Sequence, residues 1–228
     1  MTDDLCTLRP MEMGLDADDW LADTRTSYDT VAASYRELTR HILDEAPEER
    51  EVLAGFADLV GARGGGPVAD VGCGTGRITG HLRELGLDVF GIDLSPGMIE
   101  VARRDHPGVR FELGSMTDLA LADASAAGLV AWYSLIHIPD SEIGSVLAHF
   151  HRVLQPGGPL LLSFHLGDTS HLKTEGYGGH PMKVRVHRRQ HDRTIAWLDQ
   201  AGFDVETHKT LTSAESRLGG IILARRRP

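Results

Sequence analysis

The residues most able to do chemistry in this 228-residue chain begin with Val68-Ala69-Asp70-Val71-Gly72-Cys73-Gly74-Thr75-Gly76-Arg77. The stretch reads as the end of a buried strand, a glycine turn and the start of a helix. Glycines allow a tight turn and let the backbone approach a ligand with no Cβ in the way, while the helix N-terminus offers free N–H groups to an anionic part of it. Asp93 closes the next strand, 21 residues after Gly72. A carboxylate at that distance can accept both hydroxyls of a ribose, so the pair points to a nucleoside-bearing ligand. A dinucleotide fingerprint would need G-x-G-x-x-G. Counting from Gly72 puts Arg77 at the third glycine, and counting from Gly74 puts Thr79 there, so a nicotinamide- or flavin-dependent oxidoreductase is disfavoured.

Histidines supply the second set of candidates. His137 follows a fourth strand, in Ala131-Trp132-Tyr133-Ser134-Leu135-Ile136-His137-Ile138, and His165 ends a fifth. Both lie at the carboxyl edge of the strands, where an imidazole can serve as general base near neutral pH. His171, His180, His187 and His191 follow in a glycine-rich stretch. His187 and His191 could share a helix face with Glu175 or Asp192 as a further ligand, but the set matches no compact zinc spacing and no metal is expected.

The elements that position these groups follow from periodicity. Residues 1–20 lack a sustained pattern and read as a flexible leader. Residues 21–228 read as one domain. Residues 21–61 form two N-terminal cap helices, the first carrying Tyr28, Val31, Ala32 and Tyr35 at helical spacing. Strands and amphipathic helices then alternate: strands at Val68–Gly72, Asp88–Leu94, Val109–Gly114, Gly128–Leu135 and Pro159–His165, helices between them. Ser95 and Asp140 are the expected N-caps of two of those helices, with Pro96 at a first helical position. Residues 166–191 are expected to be an irregular active-site loop, with Gly176, Tyr177, Gly178 and Gly179 letting it close as a lid. After a last helix, Phe203–Leu211 and Arg217–Leu223 are joined too tightly for a parallel crossover, so the final strand should run antiparallel. The expected fold is α/β, a doubly wound, mostly parallel seven-stranded sheet with an antiparallel last strand and N-terminal helices.

The glycine turn preceded by Asp70, together with Asp93, resembles motif I and its partner acid in the class I S-adenosylmethionine (SAM)-dependent methyltransferases of the small-molecule type. Gly91–Met98, Gly114–Asp118 and Val153–Phe164 extend the resemblance. It implies SAM as methyl donor and S-adenosylhomocysteine (SAH) as product. The implied donor site comprises Asp70, Gly72, Cys73, Gly74, Gly76 and Arg77 at the turn, Asp93, Leu94 and Met98 after the second strand, Ser115 and Met116 after the third, and Tyr133 and Ser134 after the fourth. Ser115 stands where many members have Asp for the adenine amine, and Met116 either packs on the ring or fills the core. Tyr28 and Tyr35 match the helix that closes over SAM in such enzymes, or are ordinary packing residues. His137 and His165 are the candidate catalytic bases. The implied activity is methyl transfer to O or N of a small metabolite, with specialised metabolism as one setting for it. A regulatory or partner protein that binds SAM without turnover is the alternative.

Composition bounds the partners. The formal net charge is −10, from 33 acidic against 23 basic residues, which disfavours tracking a nucleic-acid backbone. The cluster Arg225–Arg227 reads as a solvated tail. Two cysteines, Cys6 and Cys73, imply no disulfide framework, and with no apolar span the expected setting is the cytoplasm.

Overall fold

The computed structural model describes residues 17–212 and 218–228; most of the expected leader, with Cys6, lies outside the described residues. The described residues open with a helix, and Trp20 belongs to it. That helix, α1 (Ala17–Thr39), and α2 (Pro47–Ala62) precede an alternating series: β1 (Pro67–Val71), α3 (Arg77–Glu84), β2 (Asp88–Asp93), α4 (Pro96–Asp105), β3 (Arg110–Leu113), β4 (Gly128–Trp132), α5 (Asp140–Val153) and β5 (Pro159–His165). The chain ends with β6 (Ser170–Gly176), β7 (His180–His187), α6 (His191–Gln200), β8 (Phe203–Leu211) and β9 (Gly219–Arg226).

Seven strands form one sheet in the order β3-β2-β1-β4-β5-β9-β8. The first five are mutually parallel, and β9 runs antiparallel to both β5 and β8. All five residues of β4 and the first six of β5 are buried, as expected of strands covered on both faces. One face packs on α5 through Ile143, Val146, Leu147 and Phe150. The other packs on α2 and α3 through Leu53, Phe56, Val60, Ile78 and Leu82. Strand β1 has β2 on one side and β4 on the other, so the chain changes direction across the sheet there and opens a crevice at the carboxyl ends of these strands.

Three expectations change. Residues 166–191 are not irregular: β6 and β7 pair as an antiparallel hairpin, and the glycine group is its turn, with Gly178 and Gly179 at φ of 95° and 84°. The period-two signal was present in Met182, Val184 and Val186, which are buried, but exposed Lys183 and Arg185 stand between them. His187 ends β7 whereas His191 opens α6, so the two do not share a helix face. Finally, Ser95 caps α4 by accepting from the Met98 N–H, but Asp140 is not an N-cap. It is the first residue of α5, and its carboxylate pairs instead with Arg189 and Arg193.

Among the described residues no helix is long and apolar enough to cross a membrane.

Candidate active site

The crevice is a pocket at the carboxyl ends of β1, β2 and β4. Its floor is the glycine turn. Gly72 sits at φ 78°, and a Cβ there would lie 2.3 Å from Ser134 Cβ. Ser134 is fixed in turn by donating to the Val71 carbonyl at 2.8 Å. The turn and the loop after β4 thus touch with no room for a side chain between them. Gly74, at φ 55°, donates its N–H to Asp93 Oδ2 at 2.7 Å, while Asp93 Oδ1 accepts from the Ser95 N–H at 2.9 Å. Asp93 therefore ties the two loops together and faces the pocket; burial raises its pKa, opposed by those two N–H groups.

A smaller cavity continues from this floor between Asp70, Arg77, Tyr35 and Trp132. Asp70 is buried, accepts from the Thr79 hydroxyl at 2.6 Å through Oδ2, and has no hydrogen-bond partner at Oδ1 among the described residues. Burial pushes its pKa up to about 7. Trp132 Nε1 is likewise buried without a partner there. An orphaned acceptor and an orphaned donor at one end of the pocket suit a zwitterionic amino-acid group.

Helix α1 roofs the pocket with Trp20, Leu21, Thr24, Tyr28 and Tyr35. It is pinned on one side where Asp29 accepts from the Ser95 hydroxyl and the Gly97 N–H, and on the other where Ser27 Oγ accepts from the Lys183 N–H of β7. Tyr28 meets His137 under this roof: its hydroxyl lies 2.7 Å from His137 Nε2. His137 Nδ1 lies 3.0 Å from the Arg185 carbonyl, which can only accept, so the proton of the neutral ring resides on Nδ1 and Nε2 accepts from Tyr28. Burial holds the His137 pKa down to about 4 and keeps the ring neutral. The Tyr28 hydroxyl is raised by burial and the neighbouring tyrosines.

Of the residues expected at a donor site, Tyr28, Tyr35, Gly72, Gly74, Asp93, Leu94, Met98, Ser115, Met116, Tyr133 and Ser134 line the main pocket, as does His137. Asp70, Cys73 and Arg77 line the smaller cavity. The Cys73 side chain belongs to a cluster with Ile99, Ala102 and Phe111, and burial raises its thiol pKa. Gly76 lines neither; it caps α3 at φ 82°, against His106 and Phe111. The Ser115 hydroxyl bonds Thr117, closing a local turn. His165 does not line the pocket. Its ring stacks on Tyr133, centroids 5.1 Å apart, and its Nδ1 has no partner among the described residues. Sequence reasoning missed Trp20, Leu21, Thr24, Arg25 and Ile138, all of which line the pocket. The four on α1 recur with Tyr28 at helical spacing, a signal obscured by the polar residues before them.

Comparison with known proteins follows the same lines. Residues 68–158 match the family described as a methyltransferase domain. The chain is 32% identical over 133 residues to a malonyl-[acyl-carrier protein] O-methyltransferase from Yersinia pestis, covering 58% of this chain and 49% of that one. It is 34% identical over 136 residues to a demethylmenaquinone methyltransferase from Renibacterium salmoninarum, covering 60% and 56%. The matched stretch spans about half the length of these relatives. Among solved structures, a DhpI–SAH complex superposes with TM-score 0.71 at 19% identity over 93% of this chain and 99% of that one. Magnesium protoporphyrin IX methyltransferase from Synechocystis PCC 6803 with bound SAH gives 0.67 at 19%, over 91% and 100%. The architecture is that of the class I methyltransferases. Residues 68–158 thus match a methyltransferase domain, and the chain is similar in sequence and in fold to class I SAM-dependent methyltransferases.

Proposed function

We propose that this chain is an enzyme that transfers the methyl group of SAM to an oxygen or nitrogen of a small metabolite, in specialised metabolism. One observation carries the donor site: Asp93, bonded to both the glycine turn and the Ser95 loop, faces a pocket whose far end holds the orphaned Asp70 Oδ1 and Trp132 Nε1. Asp93 would hold the ribose hydroxyls. Asp70 suits the ammonium and Trp132 Nε1–H the carboxylate of the methionine part, and Leu94 and Met116 supply apolar walls for the base. Bound SAM supplies a methyl group on a sulfonium, already activated for displacement, so the protein's tasks are alignment, exclusion of water and custody of one proton. The Tyr28–His137 pair suits the last task. A proton leaving the acceptor passes to the Tyr28 oxygen while the Tyr28 proton moves to His137 Nε2, and the Arg185 carbonyl keeps Nδ1–H in place.

Calorimetric titration of SAM, SAH and NADH into wild type, Asp93→Asn and Asp93→Ala tests the donor reading. Binding of SAM and SAH, weakened in Asp93→Asn and lost in Asp93→Ala, is the expected result. Binding of NADH alone, or of none of the three, overturns it.

A further inference from the structure

We propose that the methyl acceptor carries an anionic handle, a carboxylate or a phosphate-type group, separate from the atom that is methylated, and that Lys173 on the inner side of the β6–β7 hairpin pairs with it. The inference deepens the methyltransferase reading and rests on it.

Lys173 is the one charged residue of β6 that does not stand exposed; Glu175 and the polar Ser170, His171 and Thr174 all do. It pairs with Val184, which is buried with Met182 in the cluster that includes Val31 of α1, so its side chain leaves the same face of the hairpin. Its ammonium lies 3.9 Å above the centre of the Tyr177 ring. That ring is 4.7 Å from Tyr35 and 6.5 Å from Tyr28, which brings the ammonium within one aromatic ring of the Tyr28–His137 pair.

Its neighbours carry the inference further. Lys183, Arg189 and Arg193 each have an aspartate partner, Asp23 or Asp140. Lys173 has no carboxylate partner among the described residues, although the chain has ten more acidic than basic residues. The same holds for His165, whose charged and titratable neighbours are Arg188, His171 and Lys173. A half-buried ammonium without a carboxylate partner, inside an acidic protein, favours an anion from outside the chain. Burial also pulls the Lys173 pKa down, a penalty that an anionic partner would relieve. The division of labour on the acceptor is then definite: its hydroxyl or amine proton goes to Tyr28, and its charge faces Lys173.

The test is calorimetric titration of matched pairs into the SAH-loaded protein. The probes are the three hydroxybenzoates against their amides, and lactate and glycerate against theirs, with wild type, Lys173→Gln and Lys173→Arg compared. The acids should bind wild type at least about tenfold more tightly than the amides, the weight of a partly desolvated ion pair. Lys173→Gln should abolish the difference and Lys173→Arg retain most of it, with SAH affinity unchanged in both. Equal binding of acids and amides, a preference that survives in Lys173→Gln, or no binding by any probe overturns the proposal. Failure of SAH itself to bind wild type is a separate outcome and counts against the donor site.

Discussion

The His137 ring is held at both nitrogens by different elements: Nε2 meets the Tyr28 hydroxyl of α1 at 2.7 Å, and Nδ1 meets the Arg185 carbonyl of β7 at 3.0 Å. The first contact gives the ring a proton to take and the second fixes the tautomer that can take it. His137→Ala should therefore lower kcat by about 10²- to 10⁴-fold with an acceptor that must lose a proton. Tyr28→Phe should do the same if the relay runs through its oxygen. SAH affinity measured by calorimetry should stay near wild type in His137→Ala; an unchanged kcat in both variants would remove the pair from the chemistry.

Acid should destabilise the fold before it titrates most carboxylates. His137, His165 and His187 are held near 4 in the folded protein, chiefly by burial, against an ordinary value of 6.5. The unfolded chain binds more protons between those values, so stability falls as pH drops from about 6.5 towards 4. Asp70 works the other way: its pKa, raised to about 7, makes the folded state hold the extra proton between 3.8 and 7 and lose stability as pH rises through that range. Urea midpoints measured from pH 4 to 8 should rise with pH more steeply in Asp70→Asn than in wild type, and less steeply in His137→Gln.

Gly72 should tolerate no side chain. Alanine would face both the positive φ and the 2.3 Å approach of Ser134 Cβ, together costing roughly 2–5 kcal/mol. The double variant Gly72→Ala, Ser134→Gly should recover the part due to the clash and leave the backbone part, which a shared denaturant midpoint for the two variants would contradict.

Arg189 is buried and donates to the Leu135 and Ile138 carbonyls as well as to Asp140, clamping the 3-10 turn at Leu135–His137 against the end of β7. Arg189→Met removes donors from both carbonyls and should cost about 2–4 kcal/mol in urea denaturation. Asp140→Asn, at a half-exposed partner, should cost much less.

The sheet was legible in the sequence because its signals are local. The apolar runs at β1, β4 and β5, the Ser95-Pro96 helix start and the short join before β9 each depend on a few adjacent residues. The proposed donor site rests on local signals too, with glycines and one acid at strand ends. What escaped depends on distant partners. Asp140 has the right type and place for a cap, but Arg189, 49 residues on, draws its carboxylate away. The hairpin escaped because β6 has no buried face of its own: none of its residues is fully buried, and it is a strand through its pairing with β7. His137 was legible as a base candidate; its proton was not, since the Arg185 carbonyl that sets it is contributed by a backbone atom 48 residues away.

On the proposed reading, the hairpin bears on the site in two ways that no single position encodes. Its backbone assigns the tautomer of His137, and its inner face presents Lys173 and Tyr177 beside α1. A graft of this one segment into another member of the fold would carry across acceptor preference and proton handling as a linked trait, whereas exchanging individual side chains on it would separate them.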